Sequence, residues 1–403
     1  MQCQVCSHKT DLVLSLGYMP PVNDYVVIGS EPKEQVWLPT ELHHCPKCDL
    51  VQLGYQADPK VVFPAAYPYT SGSTKILRDN FANLGHEATA KLNLTKDDLV
   101  VDIGSNDGTL LSNFKPCRTV GIEPTDTADI AQQWGIKTLK SYFNNGVVKK
   151  VLLNHGHARL VTCANCFAHI PDVHAVVENV LELLRPEGVF VIESHYLPTL
   201  LENLQYDTIY HEHLRYYSLT SLKYLFERHG LEIFDAKLIP THGGSIRIYA
   251  ARKGQYPVNL RVARIFEPCG KVLQEKLATF AKDVVTSRAQ LVATLNNIKQ
   301  RGKSIVAISA PSRASTVISY CRLDTTLINY ICELSTSLKV GKYMPGTSIP
   351  VVDEARLFED QPDYALLFSW HIADELIPKL RAKGYRGEFL FPCSRRGVYA
   401  AAA

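Results

Sequence analysis

The chain of 403 residues has no long apolar run: nothing in it approaches the ~18 residues a membrane-spanning helix needs. Net charge is low as well, +3 at pH 7, which removes the electrostatic case for nucleic acid or a membrane surface as a partner. Its first residues, Met1 to Cys6, lack the basic and apolar regions of an export signal. A cytoplasmic protein is therefore expected. There is no solenoid repeat and no low-complexity tract, and no Gly-x-Gly-x-x-Gly fingerprint follows any strand. What remains is an ordinary globular composition, 46% hydrophobic and 21% charged, with enough chain for two or three cores.

Eleven cysteines in a reducing compartment point to metal binding before disulfides. Four of them fall into two knuckles, Cys3-x-x-Cys6 and Cys45-x-x-Cys48. Each knuckle aims two sulfurs at one centre, and two knuckles complete a tetrahedral thiolate site for zinc. Four protein ligands close the site, so the zinc is structural. His43 and His44 are surplus to it. Cys163-x-x-Cys166 has no second pair beside it and reads as ordinary buried thiols.

Beyond the knuckles the pattern predicts a helix within 71–98 and then alternating strands and helices. Leu99–Ile103, Thr119–Ile122, Leu160–Thr162, Gly188–Ile192 and Ile246–Ala251 read as strands, and Gly108–Phe114 as the start of a helix. A glycine-free stretch, 271–301, lies within a long helical segment. Ser304–Ser309, Leu327–Cys332 and Tyr364–Phe368 then begin a second alternating unit. The fold class is α/β in three units: a small four-cysteine zinc-binding domain (1–70), a central Rossmann-like domain (71–254) and a second Rossmann-like domain (255–403). Ala400–Ala403 reads as a tail.

The strand at 99–103 runs into Asp102-Ile-Gly104-Ser-Asn106-Asp107-Gly108, a turn whose backbone can approach a ligand closely. Glu123, followed by Pro124, ends the next strand, where a carboxylate can accept from ribose hydroxyls. A dinucleotide fits this turn poorly, because Asp102 would repel a pyrophosphate and no Arg or Lys lies nearby. S-adenosylmethionine, with its ammonium, sulfonium and ribose, fits better. About a hundred residues on stands Tyr210-His211-Glu212-His213, a cluster suited to moving a proton. Histidines two apart do not share a helix face, so the cluster is not read as a second metal site.

These motifs occur in a characteristic order. After the knuckles and the Asp102 turn come Ala164-Asn165 to Asp172 with His169, Tyr210 to Ser218, His242-Gly243-Gly244-Ser245-Ile-Arg247, and Gly341-Lys342-Tyr343 to Pro350. In this order the chain resembles, over essentially its whole length, the nucleotide-sugar C-methyltransferases that make branched deoxysugars. The resemblance implies methylation of C-3 of a dTDP-linked 4-keto-deoxyhexose through an enolate. It places His213 as the base, with Tyr210, Glu212 and His169 shaping the enolate or polarising the ketone. The cofactor would lie on Asp102, Gly104, Asn106, Asp107, Gly108, Glu123, Pro124 and Asn165. Tyr67, Tyr69, Ser71, His242, Gly243, Gly244, Ser245, Arg247, Lys342 and Tyr343 are the substrate candidates. The turn Ser309–Ser315, with Arg313, departs from the glycine- and lysine-rich pattern of related sequences, which leaves its role open. A monomer is expected. The alternatives are an oxygen- or nitrogen-methylating relative, or a zinc-containing scaffold that has lost activity.

Overall fold

The computed structural model describes residues 1–393 and 398, except Pro32, Ala66, Pro68 and Phe266; the expected tail at Ala400–Ala403 lies outside the described residues. Its centre is a seven-stranded sheet in the order 231–239, 245–252, 184–195, 158–164, 99–103, 118–123, 138–140. The five strands from 184–195 to 138–140 are parallel, and Ser245–Arg252 is inserted antiparallel between its two neighbours. All five residues of Leu99–Ile103 are buried, as expected of a central strand covered on both faces. The helix expected from Gly108 is absent. A short 3₁₀ turn, Leu111–Asn113, replaces it, because the Ser112 and Asn113 side chains both bond the Thr109 carbonyl oxygen at 2.8 Å and compete with helical pairing.

The C-terminal unit holds a second seven-stranded sheet, ordered 388–390, 364–367, 305–308, 331–333, 350–353, 342–343, 26–27. Its last strand, Val26–Val27, comes from the N-terminal region and pairs antiparallel with Lys342–Tyr343. A 31-residue helix, Gly270–Gln300, leads into this unit and buries Leu273, Leu277, Phe280, Val284, Leu291, Leu295 and Ile298. The three- and four-residue spacing of these positions makes one apolar stripe.

The third sheet is antiparallel: Asp11–Met19, Leu38–His44, Val51–Leu53 and Arg215–Tyr216. Its fourth strand comes from far downstream, Arg215 pairing with Gln52, and begins two residues after His213. The zinc-binding end of the chain thus holds the segment that carries the titratable cluster.

Candidate functional site

Cys3, Cys6, Cys45 and Cys48 bring their sulfurs within 4.8 Å of one another. The Cys3–Cys48 and Cys6–Cys45 Sγ separations are 3.5 and 3.4 Å. Thiolates about 2.3 Å from a central ion sit at roughly 3.7 Å from each other in a tetrahedron, so the set fits zinc with little adjustment. His43 and His44 stand apart from it, bonded to Thr10 and Asp49.

One cavity of about 950 Å³ runs between the central sheet and the C-terminal unit. One end of it is walled by Tyr69, Ser71, Gly104, Asn106, Glu123, Pro124 and Asn165. At Gly104 φ is +69°, and an added Cβ would strike the Cys166 sulfur, so glycine is required where the backbone meets the cavity. Glu123 accepts from the Asn106 N–H at 3.0 Å and from Thr125, and as a carboxylate it keeps acceptor capacity for a ribose. Asn165, also at positive φ, aims a buried Oδ1 that has no protein partner. These features fit S-adenosylmethionine.

Three of the expected cofactor residues lie beneath this wall instead. Asp102 is buried and accepts from Thr162 Oγ1 at 2.6 Å; burial pushes its carboxyl up to about 7 against that hydrogen bond. Asp107 accepts from the Gly72 N–H at 2.8 Å and from Thr109, fixing the Ser71–Ser73 turn against the cofactor turn. Gly108 packs on Ala131 and Ile136.

The far end of the cavity gathers His169, His195, Tyr210, Glu212, His213, His242, Arg313 and His371. The His213 ring centre lies 4.2 Å from Tyr210, 4.7 Å from His195 and 5.1 Å from His169. Its Nδ1 is 2.7 Å from the Thr208 carbonyl oxygen. A carbonyl only accepts, so the proton sits on Nδ1 and Nε2 carries the lone pair. Burial, aided by the neighbouring His169, holds the His213 imidazolium well below its usual range, and burial brings His169 down to about 4. Both rings are neutral at pH 7. Glu212 accepts from Asn23 Nδ2 at 2.6 Å and Tyr67 OH at 3.1 Å, and burial pushes its carboxyl up to about 7. The segment is pinned on both sides: Leu214 N–H donates to Ala168 O, and Leu53 N–H donates to Leu214 O. Arg215, fully buried, donates to the carbonyls of Ile170 and Pro171.

His242 lines the cavity at φ +55°, but its neighbours serve packing. A Cβ on Gly243 would meet Gln205 and one on Gly244 would meet Thr199, while the Ser245 hydroxyl donates to Thr241 O at 3.0 Å. Arg247 is not free to hold a phosphate. It is fully buried, and Glu193, Glu87, Asn83 and Asn80 take up its guanidinium. Lys342 and Tyr343 form the strand that pairs with Val26–Val27 and do not line the cavity. Sequence reading missed His195, His371 and the placement of Arg313. His195 could have been found as the last residue of a parallel strand, where ligands of such sheets gather.

A parallel sheet with an inserted antiparallel strand, a glycine turn at one end of the cavity and a titratable cluster at the other define an S-adenosylmethionine-dependent methyltransferase. Family models match in three stretches: a zinc binding domain at 3–63, a methyltransferase domain at 75–236 and a C-methyltransferase C-terminal domain at 240–393. The chain is 34% identical to the C-methyltransferase NovU of Streptomyces niveus over 384 residues, 93% of this chain and 91% of that one. It belongs to this family of C-methyltransferases. Among solved structures it is similar to magnesium protoporphyrin IX methyltransferase of Synechocystis PCC 6803 with bound SAM. That likeness is 15% identity over 44% of this chain and 79% of that one, TM-score 0.33. A SAM-dependent methyltransferase of Clostridium acetobutylicum is also 15% identical, over 45% and 94%, TM-score 0.35. Likenesses this slight carry nothing further. No helix among the described residues is long and apolar enough to cross a membrane.

Proposed function

We propose that the enzyme methylates C-3 of a dTDP-linked 4-keto-deoxyhexose, with His213 as the base that forms the enolate, in the making of a branched deoxysugar. The observation that carries this reading is the His213–Thr208 hydrogen bond, which leaves an unprotonated Nε2 on a ring that lines the cavity. A hydrogen next to a ketone is acidic enough to be removed when the enolate oxygen is stabilised. His213 Nε2 takes the C-3 proton, and the C–H electron pair becomes the enolate. Neutral His169, its ring centre 5.1 Å from that of His213, donates to the ketone oxygen in this reading, as a neutral imidazole can where an imidazolium is excluded. The Tyr210 ring lies tilted beside the base, and Glu212, held by Asn23 and Tyr67, orders the polar wall next to it. S-adenosylmethionine, when bound, would supply an electrophilic methyl group to the enolate carbon, its methyl–sulfur bond breaking with the electron pair left on sulfur and S-adenosylhomocysteine departing. The proton on His213 leaves to water afterwards.

In this reading residues 1–70 brace the His213 segment, 71–254 hold the cofactor and the base, and 255–403 close the cavity. The dTDP-sugar rests on the family resemblance together with a cavity large enough for cofactor and sugar at once. The test is product analysis with S-adenosylmethionine carrying a ¹³C methyl and a dTDP-4-keto-6-deoxyhexose. A labelled methyl bonded to ring carbon C-3 supports the reading, whereas a label on oxygen, or no product from such sugars, overturns it.

A further inference from the structure

Arg313 is a buried cation that reaches the histidine end of the cavity from the C-terminal unit, and no step above uses it. Its side chain is 7% exposed. Nη1 lies 3.1 Å from His371 Nδ1, and Nη2 donates to the His242 carbonyl at 3.4 Å. Both acceptors are neutral. The nearest carboxylate, Asp207, stands 3.6 Å away and accepts instead from Trp370 Nε1 at 2.7 Å, while its other oxygen has no partner. The guanidinium thus has one ion pair, with Asp207 at 3.6 Å, and the Trp370 ring 5.6 Å from its carbon, and it keeps N–H donors at the cavity wall that a developing anion could use.

The same contact settles the tautomer of His371. A guanidinium only donates, so His371 Nδ1 accepts and its proton sits on Nε2. Two histidines of one cavity are thus set in opposite senses. His213 keeps a lone pair on Nε2, fixed by a carbonyl; His371 keeps a proton on Nε2, fixed by Arg313. One is an acceptor of protons and the other a donor of hydrogen bonds, as removal of a proton and stabilisation of the resulting anion require. Positive charge from Arg313 is also felt at His213, His195 and His242.

We propose that Arg313, with the His371 Nε2–H that it orients, stabilises the enolate oxygen formed when His213 removes the proton. This rests on the enolate reading above. Arg313 is then a catalytic residue and His371 its partner donor, both supplied by the C-terminal unit.

The experiment measures deuterium exchange at C-3 of a dTDP-4-keto-6-deoxyhexose in heavy water, with S-adenosylhomocysteine present, and binding of dTDP alone by calorimetry. Arg313→Gln should slow exchange by about 10²- to 10³-fold with dTDP affinity unchanged within about threefold, and Arg313→Lys should recover part of the rate. Exchange at the wild-type rate overturns the proposal, and weaker dTDP binding with exchange intact at saturation overturns it by making Arg313 a phosphate ligand instead. Absence of exchange in the wild type would instead sink the enolate reading itself. If Arg313→Gln fails to fold, His371→Phe keeps the ring and removes the donor. An unchanged exchange rate in that variant contradicts the proposal, and a loss of about tenfold or more supports it.

Discussion

His213 donates its Nδ1 proton to the carbonyl oxygen of Thr208 at 2.7 Å, and so presents Nε2 without a proton. Asparagine places an amide nitrogen near the position of Nδ1 and has nothing at Nε2. His213→Asn should therefore keep the bond to Thr208, fold normally and bind cofactor, yet lose about 10²–10⁴ in methyl transfer. Steady-state rates together with a cofactor titration check this. A rate within about threefold of wild type would remove His213 from the role of base.

The pH dependence separates two groups. The His213 imidazolium is held well below its usual range by burial, so its acid limb in kcat/KM falls below about 6.5. Glu212 titrates near 7 because burial disfavours its charge. A second limb near 7 should appear in the wild type and vanish in Glu212→Gln while the lower limb stays, and its persistence in that variant would contradict the assignment.

The same carboxyl makes a stability claim. Its folded pKa is raised above the unfolded value of 4.5, so it contributes stability fully below 4.5 that is lost as pH rises through about 7. Glu212→Gln, which stays neutral, should gain stability relative to wild type at pH 8, on the order of 2 kcal/mol, and little at pH 4. Denaturant melts at the two pH values decide it; a gain that is equal at both pH values would contradict the assignment.

Arg247 gives the opposite kind of prediction. Fully buried, it neutralises Glu193 and Glu87, and removing it strands a buried carboxylate. Arg247→Met should cost about 3–5 kcal/mol of stability while leaving the KM for the sugar nucleotide near its wild-type value in whatever fraction folds. A large KM rise with unchanged stability would restore Arg247 to the substrate candidates.

Zinc enters through architecture. Its four thiolates close the sheet whose last strand, Arg215–Tyr216, follows His213 directly. Chelation, or Cys45→Ser, should lower Tm by more than about 10 °C and depress methyl transfer although no zinc stands at the reacting atoms. Activity retained after loss of the metal, measured on the same sample, would uncouple the two.

Much of the central sheet was legible because its strands are short apolar runs buried on both faces; Leu99–Ile103 falls where the pattern put it. The cysteine knuckles were legible because ligand spacing is itself local. What could not be read was who meets whom. Arg247 follows a glycine pair and reads as a substrate contact, but Glu87 and Glu193, which occupy it, are 160 and 54 residues away. Lys342 and Tyr343 sit in a motif that proved to be a strand partner for Val26–Val27. Arg313 and His371 enter the cavity because the helix Ser312–Cys321 packs on the turn Tyr206–Thr208 and the turn Trp370–Ile372 packs on Thr241–Gly243, relations with no trace in local periodicity. The Gly108 helix failed for a local reason, side chains capturing the Thr109 carbonyl.

The most direct test of the central claim is deuterium wash-in at C-3, read by NMR, with a dTDP-4-keto-6-deoxyhexose in heavy water and S-adenosylhomocysteine in the cofactor site. The account predicts exchange at C-3 by the wild-type enzyme and its loss in His213→Asn. Methyl transfer to carbon without any exchange at C-3, or exchange that persists undiminished in His213→Asn, would contradict it.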